Sequence, residues 1–273
     1  MDFDLENPFT SSDDSITALF AAESDHCLVV GDGADLPIRR DAVALILQAQ
    51  FSCGLDPFVT YLAINYVDRF LCKQEIPRGK PWVVRLLAVS CLSLASKMKR
   101  AGFCLADFQG DEGLIFDSQT IHRMELLVLG ALDWRMRSIT PFSFLRFFLG
   151  FFSPPQPHLL HALKSRASEI VFKAQSEIKM LEFEPSLIAA SALLSAAYEL
   201  FPIQFPAFRS KISSCEFVNK ERFFQCCNAI GEMAMGCCFD PTAEMVSSTD
   251  TPVTVFGLHS TSSESERTVG STD

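Results

Sequence analysis

"YLAINYVDRFL" spans residues 61–71, and its apolar residues run almost all the way round a helix, as in a segment buried on every side. Asp68 and Arg69 nevertheless stand together near its end. Charged side chains are seldom fully buried unless they are paired. The aspartate is therefore either a structural partner or part of an active site. Just upstream, Asp56-Pro57 supplies an N-cap and a proline at the first helical position. On either side, "IRRDAVALILQAQ" (38–50) is amphipathic, and "PWVVRLLAVSCLSLASKMKR" (81–100) is a long helix closing on basic residues that suit a helix C-terminus. "SQTIHRMELLVLGALDW" (118–134) is another helix. Thr140-Pro141 repeats the cap-plus-proline start, and further helices are predicted near 141–150, 157–180, 186–200 and 217–235. Pro154, Pro155, Pro157, Pro185, Pro202 and Pro206 punctuate them. No stretch alternates as a strand would, so the fold class is all-α.

Two of these helices echo each other. "LLAVSCLSLAS" (86–96) and "LIAASALLSAA" (187–197) match at Ala88/Ala189, Ser90/Ser191, Leu92/Leu193 and Ala95/Ala196. Small residues let neighbouring helices approach closely, and the echo suggests a duplicated helical unit. The ends of the chain differ in character. Residues 1–36 are acidic and rich in Ser and Asp, with one short amphipathic piece, "SITALFAAES", and read as a flexible arm. From about Phe239 onward Ser, Thr and acidic residues dominate, which predicts a disordered tail. Thr251-Pro252 within it is a candidate proline-directed phosphorylation site, against the plainer reading of a solvated tail.

Bulk properties exclude several function classes. The 273 residues are 48% hydrophobic with a net charge of −10 and a mean hydropathy of +0.21. An acidic chain is ill suited to gripping nucleic acid, which needs clustered Lys and Arg, so protein partners are favoured. The cysteines form no CxxC pair, and the acidic N-terminus is unlike a signal peptide. Reduced, mostly buried thiols follow. No apolar run is expected to reach the ~18–20 residues that span a bilayer; "FSFLRFFLGFF" (142–152) is short and interrupted by Arg146.

Catalytic signatures are missing. No GxxxxGK[ST], GxSxG or HExxH occurs, and "GDGAD" (31–35) has no strand before it and reads as a turn. His158 and His161 share a helical face, but no third metal ligand accompanies them. The chain reads as an interaction scaffold, not an enzyme, with no metal and no cofactor.

The opening stretch then becomes specific. "YLAINYVDRFL" resembles the cyclin-box helix that reads N-Y-x-D-R-F-L. "RRDAVALIL" (39–47) resembles the first cyclin-box helix, "LLAVSCLSLASKMK" (86–99) the third, and "RMELLVLGALDWRMRSITPFSFL" (123–145) the fifth and the passage into the second fold. With "MLEFEPSLIAASALL" (180–194), the wording is similar to plant D-type cyclins, especially their sixth subgroup. The resemblance covers about residues 15–235. It implies two stacked cyclin-box bundles of about five helices each. The expected organisation is an acidic arm (1–36), an N-terminal box (37–137), a C-terminal cyclin fold (138–238) and a Ser/Thr-rich tail (239–273).

The resemblance also implies roles for residues. Asp68 is expected to pair with Arg39, a staple between two helices, with Arg40 as an adjacent competitor and a backbone-capped Asp68 as the alternative. Lys97 and Glu125 occupy the positions that contact a kinase partner; taken alone, they read as a helix C-terminal cation and a polar-face residue. The implied function is activation of a PSTAIRE-type cyclin-dependent kinase at the passage from G1 into S phase, with a nuclear and also cytoplasmic location. Retinoblastoma-related proteins and kinase inhibitors are the further expected partners. The chain also departs from the family pattern. It has no LxCxE motif, so a retinoblastoma-related protein would not dock that way. Leu45 stands where many cyclins carry tryptophan, leaving Ile38, Ala42 and Leu45 as an expected docking patch without an aromatic anchor. Lys99-Arg100 stand where acidic residues are common, which bears on kinase choice. A kinase-binding decoy and a cyclin-fold transcription adaptor are the competing readings.

Overall fold

Where Asp56 and Pro57 meet, the sequence's start signal becomes geometry. Asp56 Oδ1 accepts a hydrogen bond from the Phe58 backbone N–H at 2.8 Å, and the helix runs Pro57–Leu71. The computed structural model describes residues 13–23, 36–77, 79–101, 116–152 and 157–235. Its helices are α1 (Asp13–Glu23), α2 (Leu36–Cys53), α3 (Pro57–Leu71), α4 (Pro81–Lys99), α5 (Ser118–Ala131), α6 (Phe142–Leu149), α7 (Pro157–Ala174), α8 (Pro185–Leu200), α9 (Phe205–Ser213) and α10 (Lys220–Met235). A 3₁₀ turn, Ile178–Glu182, lies between α7 and α8. There is no strand among the described residues.

Two bundles emerge from this order. In the first, α4 packs against α2, α3 and α5; in the second, α8 packs against α6, α7, α9 and α10. The first bundle shows four helices among the described residues, and residues 102–115 lie outside them. The central helices are the two that echo each other in sequence, and Ala88, Leu92 and Ala95 are as fully buried as Ala189, Leu193 and Ala196. Methyl-sized side chains there set the helix spacing, so added bulk has nowhere to go. Ala189→Leu is expected to destabilise the fold by about 1–3 kcal/mol, read as a lower urea midpoint; an unchanged midpoint would show that α8 can shift to accept it.

The helix α4 is long and apolar enough to cross a bilayer by length and composition, contrary to the expectation that no run reaches that length. Its environment explains its composition: 72% of it is buried among the other helices, and it forms the core of the first bundle. In the "FSFLRFFLGFF" stretch, Phe142, Phe144, Phe148 and Phe152 are buried while Arg146 faces out. Phe142 also joins the bundles: its ring packs 5.2 Å from Phe58 and 5.1 Å from Tyr61 of α3, and 4.9 Å from Phe172 of α7.

Residues 13–23 of the N-terminal arm form a helix over its one amphipathic piece, and that helix is docked on the second bundle. Leu19 is buried, and the Phe20 ring stacks on Phe217 at 4.5 Å and meets Phe144 at 4.9 Å. At its end, Glu23 caps a helix of the second bundle from outside that helix's own sequence. Its carboxylate accepts from the Ser186 backbone N–H at 2.9 Å and from Ser186 Oγ at 2.8 Å, at the first turn of α8. Burial pushes the Glu23 carboxyl above the usual range, although the Ser186 bonds pull the other way. Glu23→Ala leaves two buried donors unsatisfied and is expected to cost about 1–3 kcal/mol. Limited proteolysis should then cut within 13–23; a cleavage pattern identical to wild type would mean that the phenylalanines alone hold α1.

Other boundaries moved for identifiable reasons. The helix predicted over 157–180 stops at Ala174, because the backbone of Gln175 and Ser176 is turned to another task described below. Pro206 does not break structure but sits in the first turn of α9, a favoured place for proline. Thr140 is not a side-chain cap: it is buried, and its hydroxyl has no hydrogen-bond partner among the described residues. The tail, with Thr251, and the "GDGAD" stretch lie outside the described residues.

Candidate functional site

Asp68 lies on α3 and Arg39 on α2, and the two meet. Arg39 Nε donates to Asp68 Oδ1 at 2.7 Å, and Arg39 Nη2 donates to Oδ2 at 3.1 Å. Their side chains are only 5% and 4% exposed. Arg40 points outward and is exposed. The guanidinium does more than staple two helices. Nη2 also donates to the Gln175 carbonyl at 2.8 Å, and Nη1 to the Ser176 carbonyl at 3.3 Å. Those carbonyls follow the end of α7, where a helix leaves acceptors without intrahelical partners and favours a cation. Gln175 answers in the other direction, its Nε2 donating to the Tyr61 carbonyl at 2.7 Å. The Arg39–Asp68 unit therefore binds the first bundle to the second. Burial pushes the Asp68 carboxyl up to about 6, with the charge and hydrogen bonds of Arg39 opposing the rise. Both carboxylate oxygens are engaged by Arg39, the geometry of a staple between helices.

Lys97 and Glu125 make the second constellation. Lys97 ends α4 and Glu125 sits mid-way along α5, helices in direct contact. Lys97 Nζ donates to Glu125 Oε1 at 2.6 Å and to Oε2 at 2.7 Å, and His122 Nδ1 lies 3.6 Å from Oε2. Exposure is uneven: the Lys97 side chain is 61% exposed and that of Glu125 only 6%. Burial raises the Glu125 carboxyl, but hydrogen bonds from Lys97 and Ser93, with the Lys97 charge and His122, outweigh it and hold it below the ordinary range. The result is an ionised carboxylate fixed at the surface beneath a cation that can still turn toward a partner.

Exposed apolar residues flank this pair, and the sequence reading passed them over. Leu126 and Leu127 follow Glu125 on α5 and are exposed, as is Trp134 just beyond the helix. Asp133 and Trp134 both take left-handed backbone angles, φ 53° and 59°, which non-glycine residues rarely adopt. The chain is held there by Lys73, whose Nζ donates to Asp133 Oδ2 at 2.6 Å, and by the Tyr66 hydroxyl, which donates to the Met136 carbonyl at 2.9 Å. The signal was available: a tryptophan beside a charged residue after an apolar helix is an unusual place to spend a large ring. Close by in sequence, Lys99 Nζ lies 4.7 Å from the centroid of the Phe58 ring.

The docking patch is smaller than expected. Ala42 is fully buried and offers no surface, because α2 packs on that side into the first bundle. Ile38 and Leu45 are partly buried against the core. His158 and His161 are both exposed on α7, and no cluster of three metal-ligating residues occurs among the described residues.

Residues 20–137 match the cyclin N-terminal domain family and residues 139–244 the cyclin C-terminal domain family. Cyclin-D6-1 of Oryza sativa subsp. japonica is 47% identical over 98% of this chain and 85% of its own. The chain belongs to the plant D-type cyclins. Cyclin-D1-1 of Arabidopsis thaliana is 40% identical over 74% of this chain and 60% of its own. Among solved structures, a viral cyclin from herpesvirus saimiri superposes with a TM-score of 0.62 at 18% identity, covering 79% of this chain and 96% of its own. A chain of the CAK complex of Chaetomium thermophilum gives 0.54 at 18% identity, over 82% and 75%. Both likenesses speak for the fold of this cyclin: the two bundles are its two cyclin boxes.

Proposed function

We propose that this cyclin is the activating regulatory subunit of a cyclin-dependent kinase of the PSTAIRE type and promotes the passage from G1 into S phase. The observation that carries the reading is the Lys97–Glu125 pair, an ionised carboxylate nearly buried between α4 and α5 beneath an exposed ammonium. Membership of the D-type cyclins supports it. A kinase transfers phosphoryl groups only when the glutamate of its mobile helix pairs with its ATP-positioning lysine. A subunit that binds that inward state more tightly than the outward one shifts the population toward it. The cyclin need supply no catalytic group. On this reading the work is nuclear, with a cytoplasmic pool, on substrates that include a retinoblastoma-related protein reached without LxCxE; kinase inhibitors would bind the same assembly.

The test mixes the purified full chain with a PSTAIRE-type kinase and follows complex formation and phosphorylation of a retinoblastoma-related fragment. The expected result is binding and activation by wild type, with both lost in the Lys97→Glu, Glu125→Ala double variant. Failure of wild type to bind any such kinase overturns the reading. The buried Ala42 and the missing aromatic anchor at Leu45 favour one second reading, a cyclin that occupies its kinase without delivering substrates. Binding without phosphorylation of the fragment would move that reading ahead.

A further inference from the structure

At about 100° per residue, the α2 face that carries Arg40, Val43 and Leu47 lies opposite Ile38 and Leu45. That face borders a groove of about 630 Å³ whose other walls are the end of α7, the 3₁₀ turn and α10, within the range of concave binding sites. Its apolar surface comes from Val43 and Leu47 of α2, Ile178 of the turn and Met233 of α10. Leu47 and Ile178 are 40% and 38% exposed. Exposed apolar side chains gathered along one concave face mark an interaction surface, and methionine lets such a surface adapt to its ligand.

Charge narrows the partner. The chain carries −10 overall, yet the groove is lined by Arg39, Arg40, Lys173 and Lys179 against Glu177 and Glu232. Arg39 is taken by Asp68, and Lys179 Nζ lies 3.6 Å from a Glu232 carboxylate oxygen. Lys173 Nζ donates to the Met233 carbonyl at 3.2 Å. Neither Lys173 nor Arg40 has a carboxylate within ion-pair distance among the described residues. A cationic edge on an acidic protein favours an acidic partner. The walls are helices and a turn, with no strand edge to extend, and their apolar residues repeat one turn apart; this suits a helix laid in a groove.

We propose that this groove docks an amphipathic helix of a partner protein, its apolar face on Leu47, Ile178 and Met233 and its acidic flank toward Arg40 and Lys173. The site is separate from Lys97 and Glu125, so it stands or falls independently of kinase binding. The probe is a fluorescein-labelled helical peptide of about 14 residues, with leucines at i, i+3, i+4 and i+7 and glutamates elsewhere. It is titrated with the full chain by fluorescence anisotropy. Saturable binding is expected, weakened at least ~10-fold by Leu47→Glu and by Arg40→Glu, and ~10-fold weaker for the same peptide with lysines in place of glutamates. Lys97→Glu should leave it unchanged. Leu47 and Arg40 are solvent-accessible, so melting curves like wild type check that both variants fold. The proposal is overturned by no saturable binding, by equal affinity for acidic and basic peptides, or by indifference to Leu47→Glu. A concentration-dependent dimer abolished by Leu47→Glu, seen by sedimentation, would also overturn it and give the groove to a second copy of the chain.

Discussion

Asp68→Ala is expected to destabilise the fold by about 3–5 kcal/mol, the usual consequence of removing one member of a buried ion pair. For a chain of this size the melting temperature should drop by about 6–20 °C. The variant strands a buried guanidinium that retains only the Gln175 and Ser176 carbonyls as partners. The reverse variant behaves differently. Arg39→Met strands a carboxyl that burial already raises to about 6, and the two opposing contributions of Arg39 are then gone, so it rises further. The folded variant therefore holds a proton that the unfolded chain releases near the ordinary carboxylate value. With more protons bound in the folded state, stability falls as pH rises through this window. Above about pH 6 Arg39→Met should keep losing stability while wild type changes little through this group. Asp68→Ala should show no such recovery on acidification. Urea melts at several pH values check this; identical pH behaviour of the two variants would mean that the stranded charge finds water.

Lys97→Glu is expected to weaken kinase binding by about 2–5 kcal/mol, roughly 30- to 5,000-fold, as for truncation of a hydrogen-bonded charge pair at an interface. Removing the ammonium takes away the exposed donor, and the new carboxylate faces the buried one of Glu125. The fold should survive, since the altered side chain is largely in solvent. Surface plasmon resonance with immobilised kinase, alongside a thermal melt, separates loss of binding from loss of structure. Affinity within threefold of wild type would remove Lys97 from the interface.

Much of this is legible in the sequence. Proline and aspartate placed the starts of α3, and the echo between residues 86–96 and 187–197 identified the two central helices, because small buried residues leave a compositional trace. Asp68 stood out because a charge inside an all-round apolar helix needs a partner. What escaped has a common cause. Carbonyl groups of Gln175 and Ser176 carry no side-chain signature, so their capture by Arg39 could not be read from residue types. The docking of α1 depends on Phe144 and Phe217, remote in sequence from Phe20, and an acidic, serine-rich setting masked it. Ala42 belongs to a patch implied by the family resemblance, and in this chain α2 buries it against the first bundle. Pro206 reads in the sequence as a breaker, although proline suits a first helical turn.

The reach of Arg39 to Gln175, 136 positions later in the chain, bears on how the protein comes into being. During synthesis the acceptors that complete the Arg39 site are supplied only when residues 175 and 176 arrive. Contacts of such sequence separation slow folding, because the loop must close before they reward it. Once joined, the halves share one set of hydrogen bonds, so loosening one half exposes polar groups of the other.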